Sequence, residues 1–235
     1  MGILDSIRST CSNIGNAISD TFSKISSACS TVINSVAMHA PAIQGTLRAL
    51  ALVIPHPYLK TAIKVVDAAC VVAGLLSTDE TTENLGEKIL QAQEANITPS
   101  YFPSYDDYIQ EVRNFKPDPE TASDFSFGEK VAAGVSVLAW GLEEKFGEHS
   151  SDFLSMVIKD SENVMNGEGY FNETRVEAIL KSIEDIGEVV GYFKDTLDPD
   201  TKNAVEQKLV DVEKSINPEA SIADIYSELD KQLQA

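Results

Sequence analysis

The side chains best suited to chemistry are three histidines, His39, His56 and His149, and three cysteines, Cys11, Cys29 and Cys70. A histidine works as a general base only when its target lies within hydrogen-bond reach, and no spacing here forces such a meeting. The cysteines and histidines are too few and too scattered for a disulfide framework or a zinc site. Cys11 and Cys29 fall on a helical stripe and Cys70 in an apolar arm, so all three read as small buried hydrophobes. The adjacent acids Asp106-Asp107 and Glu143-Glu144 read as solvated faces. There is no Walker loop, no dinucleotide-binding glycine turn, no His-Glu-x-x-His and no Gly-x-Ser-x-Gly. Gly134-Val135-Ser136 stops short of the last, because Leu138 stands where glycine is needed. The expectation is a non-enzymatic protein with no cofactor and no metal ion.

One loop resembles the middle of an EF-hand. Asn166-Gly167-Glu168-Gly169-Tyr170-Phe171-Asn172 puts oxygen residues at the third, fifth and ninth places, with glycine at the sixth. The two ends depart from the pattern: Val164 stands at the first place and Arg175 at the twelfth, where calcium needs carboxylates. The segment is therefore expected to be an Asn-Gly turn joining two helices.

The elements that position these residues are helical. Ile7, Cys11, Ile14, Ile18, Phe22, Ile25, Cys29, Val32 and Val36 recur at steps of four and three, which places them on one stripe of an amphipathic helix. The pattern predicts one helix from about Ile3 to Ala37, about 50 Å long at roughly 1.5 Å per residue. Its other face is Ser, Thr and Asn, mediocre helix formers, so the helix depends on whatever covers its stripe. Nine such side chains are worth on the order of 10–25 kcal/mol if buried. The cover is the rest of the chain or a second copy, a partner or assembly, or a lipid surface. The bulky apolar side and weakly charged hydroxyl side resemble lipid-packing-sensor helices, which bind through the apolar side.

Two further apolar segments, Ala42 to Ile54 and Tyr58 to Leu76, flank Pro55-His56-Pro57 and predict a helical hairpin. Charge then changes abruptly. Residues 1–77 carry a net +2 and residues 78–235 a net −21, within a total of −19. We therefore expect two regions: 1–77, a low-charge amphipathic helix and apolar hairpin, and 78–235, an acidic helical domain, joined near Ser77-Thr78-Asp79-Glu80-Thr81-Thr82. In the acidic part, helices are predicted over 83–95, 105–115, 128–146, 152–164, 174–193, 200–216 and 221–233, separated by proline-rich or polar breaks. The 128–146 segment is apolar on two sides and is expected to be central. With no alternating strand pattern, the fold class is all-α.

Net charge of −19 opposes nucleic-acid binding. The N-terminus lacks a Sec signal peptide pattern, and no uncharged apolar run approaches the roughly 20 residues a bilayer needs. Met1-Gly2-Ile3-Leu4-Asp5-Ser6 fits N-myristoylation spacing. Tyr226-x-x-x-Asp230 resembles the tail of type VII secretion substrates, without the accompanying Trp-x-Gly turn. The reading is a secreted or injected effector, exported by a specialised system, whose N-terminal third associates with a membrane or delivery machinery and whose acidic domain binds a protein partner or itself. The interaction surface is expected at Ile7, Ile14, Ile18, Phe22, Ile25, Val32 and Val36. The competing reading is a structural component or cargo of a phage-like or secretion particle.

Overall fold

The computed structural model describes residues 26–53, 56–116 and 125–233, and among them every regular element is a helix. The order is α1 Ser27–His39, α2 Ile43–Val53, α3 Leu59–Val72, α4 Thr82–Glu94, a 3-10 turn Pro99–Tyr101, α5 Tyr105–Asn114 and α6 Phe127–Phe146. There follow α7 Ser151–Lys159, α8 Ser161–Asn166, α9 Glu173–Ser182, α10 Ile186–Phe193, α11 Pro199–Ile216 and α12 Ile222–Leu233.

The axis of the molecule is α6. Every residue from Val131 to Leu142 is buried, as expected of a helix apolar on two sides. A capping box starts it: Ser126 accepts from the Glu129 amide while the Glu129 carboxylate accepts from the Ser126 amide. On one side α4 crosses α6 with the two backbones in contact. A Cβ on Gly86 would lie 1.7 Å from the Lys130 carbonyl oxygen, and one on Gly134 would lie 2.2 Å from that of Thr82. Only glycine permits this approach. Around the same helix, Trp140 sits between Tyr105, Tyr108 and His39.

The expected pair of helices at 42–54 and 58–76 is present, but not as a self-packed hairpin. α2 lies on α7 and α6, and α3 lies on α9, α7 and α8, with little contact between α2 and α3. Each apolar arm packs on helices of the acidic part rather than on its neighbour. The carboxyl end of α3 is closed by residues from far along the chain: Arg113 and Tyr105 donate to the Leu75 carbonyl, and Lys145 to that of Ala73. Bases there satisfy orphan carbonyls and complement the negative end of the helix.

The join at Ser77–Thr82 behaves as a cap, with Thr81 accepting from the Asn84 amide at 3.2 Å. It separates charge rather than cores, since buried residues from both sides form one hydrophobic cluster. Asp67 spans the join by accepting from the Thr82 amide at 2.7 Å.

Two predicted helices are divided. The 152–164 helix breaks at Asp160, whose carboxylate takes the Asn163 side-chain amide at 2.9 Å and the Phe171 amide at 2.8 Å. The 174–193 helix breaks at Ile183, which is extended, and restarts at Asp185, which caps the Glu188 amide at 3.1 Å. Among the described residues, no helix is long and apolar enough to cross a membrane.

Candidate functional site

The apolar stripe of the N-terminal third is divided at Ser26. A continuous helix over 3–37 does not form, because Ser26 is extended (φ −63°, ψ 155°) and α1 begins after it. Ser26 serves as the cap, its hydroxyl accepting from the Cys29 amide at 3.2 Å. Downstream of the break the stripe is core: Cys29, Val32 and Val36 are each 0 % exposed, facing α6 and α4. Val32 and Val36 therefore meet the protein's own helices rather than an outside surface. Ile7, Ile14, Ile18, Phe22 and Ile25 lie outside the described residues. Of the polar positions of α1, Ser27, Thr31 and Asn34 are exposed, Ser30 is half-buried and Ser35 is buried.

A single carboxylate holds this junction. Glu129 Oε1 accepts from the Ser26 amide at 2.7 Å, and Oε2 from the Ser126 amide at 3.0 Å and hydroxyl at 2.8 Å. It thus satisfies donors at the starts of both α1 and α6, where both helix dipoles favour negative charge. Burial works to raise its pKa, but the hydrogen bonds from Ser26 and Ser126 outweigh burial and hold the carboxyl below the ordinary range. The Cys29 thiol donates to the Glu129 carbonyl at 3.8 Å. Burial, aided by the Glu129 charge, pushes that thiol up to about 12, so it stays protonated and inert. Ser126-x-x-Glu129 is legible in the sequence as a capping box; the reach of Glu129 to Ser26 is tertiary and leaves no local signal.

The histidines are dispersed. His39 stacks on Trp140 with ring centroids 4.4 Å apart, and its Nε2 lies 3.2 Å from the Pro99 carbonyl. His56 stacks on Tyr58. His149 sits in the α6–α7 turn with φ 69°, its Nδ1 3.6 Å from Asp152, which also pairs with Lys194 at 2.7 Å. In the same turn Ser151 donates to Glu143, whose carboxyl burial pushes above the usual range. The Ser151 hydroxyl is fully buried. Among the described residues, no histidine is hydrogen-bonded to a hydroxyl or thiol.

The EF-hand-like segment is a closed turn. α8 ends at Asn166, and Gly167 takes the left-handed conformation at φ 83°. At the twelfth place, Arg175 pairs with Glu213 through two hydrogen bonds, at 2.5 and 3.1 Å. It also donates to the Tyr170 carbonyl at 2.6 Å and lies over the Tyr170 ring at 4.2 Å. The guanidinium thus locks the loop from inside and brings positive charge where a calcium ion would need a carboxylate. No cluster of metal-ligating side chains occurs among the described residues.

The chain matches no family model, no curated protein and no solved structure.

Proposed function

We propose that the chain acts by attachment rather than by chemistry, as an effector of the secreted or injected kind. Its N-terminal segment fastens it to a membrane or to delivery machinery, and its acidic helical body engages a protein partner. The observation that supports this reading is the division of the stripe at Ser26. The downstream part is fully occupied by α6 and α4, while Ile7, Ile14, Ile18, Phe22 and Ile25 repeat the same pattern upstream. A run of bulky apolar side chains of this kind is too costly to leave in water and needs its own cover.

The test is flotation of the full-length chain with liposomes, beside full-length Phe22→Asp. The wild-type chain is expected to rise with the vesicles and the variant to stay below. If both stay below, the membrane half of the proposal fails; wild-type comigration with a large particle then assigns the segment to delivery or particle assembly.

A further inference from the structure

We infer that the outward sides of α2 and α3 form a lipid contact of the folded body that selects anionic headgroups, an inference that rests on the membrane half of the reading above. The sign of the exposed charge is the first reason. Residues 26–77 carry three bases, Arg48, Lys60 and Lys64, against one acid, Asp67. All three bases are exposed, whereas Asp67 is half-buried and turned to the Thr82 amide. Among the described residues Arg48 and Lys60 make no ion pair or hydrogen bond, and Lys64 has a loose, exposed pair with Glu173 at 3.7 Å. The outer sides of these two helices thus present bases and no acid of their own, in a molecule of net charge −19.

The second reason is an apolar group set among the bases. Leu52 lies one turn beyond Arg48 on α2 and is 67 % exposed, while Ile43, Leu47, Leu50 and Val53 of the same helix are buried. An acidic protein surface would answer the bases and leave Leu52 without an apolar partner. A bilayer answers both, with phosphates at the level of the charged heads and acyl chains beneath for the leucine.

The third reason is the arrangement. α2 and α3 both rest on α7, so their outer sides face away from one common support. Lys60 and Lys64 stand one turn apart on α3, and His56 and Pro57 of the connection are exposed between the helices. Glu162, near Tyr58, and Glu173, at Lys64, bound the face on the side of α8 and α9. Charges more than a Debye length from the lipid, about 8 Å at physiological salt, are largely screened. The bases at the contact therefore outweigh the acids on the far helices.

The experiment floats the full-length protein with large phosphatidylcholine vesicles, with and without phosphatidylserine. Binding is expected to be stronger on the anionic vesicles and to fall with added salt. Arg48→Gln with Lys60→Gln removes two bases, at about fivefold each, and should weaken binding to anionic vesicles by about 25-fold while leaving neutral vesicles unaffected. Leu52→Ser should weaken it by about tenfold. All three side chains are exposed, and unchanged near-ultraviolet dichroism of Trp140 shows that the body is intact. Equal binding to both compositions, or an anionic preference that survives in the double variant, overturns this inference and leaves membrane attachment standing. Flotation on no vesicle overturns both, and salt-sensitive retention on immobilised polyglutamate would then assign the face to an acidic protein.

Discussion

Gly86→Ala is the sharpest perturbation of the body. The new Cβ would lie 1.7 Å from the Lys130 carbonyl oxygen, 2.7 Å from its carbon and 2.9 Å from the Gly134 nitrogen. All three are backbone atoms of α6, so no side-chain rotation relieves the clash, and α4 has to retreat by about 1.5 Å or more to reach van der Waals distance. That retreat opens the interface carrying Leu85, Ile89 and Leu90, all buried. Overpacking of this kind costs about 3 kcal/mol or more, against a gain of about 1 kcal/mol from replacing a helical glycine by alanine. The net expectation is a loss of about 2–4 kcal/mol, read from urea unfolding followed by circular dichroism. Gly167→Ala is the control: a Cβ there meets nothing within 4 Å, so only its left-handed backbone is strained, by about 1–2 kcal/mol. If Gly86→Ala is as stable as wild type, or gains the 1 kcal/mol that helix propensity alone offers, the direct backbone contact of α4 with α6 is refuted.

Glu129→Gln removes a charged acceptor from two helix starts and should cost about 1.5–3 kcal/mol at pH 7. Because the folded-state pKa lies below the ordinary 4.5, that stability is complete above 4.5 and lost as pH falls through the folded value; unfolding curves of the two proteins should converge there. Asp67 has the opposite sign: burial raises its pKa above 3.8 despite the hydrogen bond from the Thr82 amide, so its charge costs stability above the folded pKa and the cost disappears below 3.8. Asp67→Asn should therefore raise the urea midpoint at pH 7 and have little effect near pH 3.8. Arg175→Ala strands the Glu213 carboxylate, which is 10 % exposed, and should cost about 3–5 kcal/mol by thermal or urea unfolding, whereas Arg175→Met with Glu213→Leu should cost far less.

Much of the fold was legible because period and breakers agree. The α6 segment carries apolar residues on two sides and was expected at the centre, where it stands. Proline-marked ends at Pro199 and near Pro218 bound α11 and α12 within a residue or two of expectation. Two breaks that the sequence hides, at Ile183 and at Ser26, share one cause: the apolar period runs through the break. Ile183 and Ile186 keep helical spacing across the turn that Asp185 caps, and Phe22, Ile25 and Cys29 do the same across Ser26. With Ser23, Ser26, Ser27 and Ser30 all fit to cap, the sequence offered no reason to choose Ser26; the distant Glu129 chooses it. Proximity along the chain suggests an α2–α3 hairpin, whereas in the fold both helices pack on α7. Nothing in the sequence around Gly86 and Gly134 signals their role, which appears only where the two helices meet. Of the expected interaction residues, Val32 and Val36 became core because α6 covers them.

Division of one apolar stripe at Ser26 between core and attachment can be read from hydrogen exchange of the chain with and without lipid vesicles. The vesicles are expected to slow exchange within residues 7–25 and to leave the amides of α1 protected to the same degree. Unchanged exchange in residues 7–25, or loss of protection in α1 when vesicles are added, would contradict it.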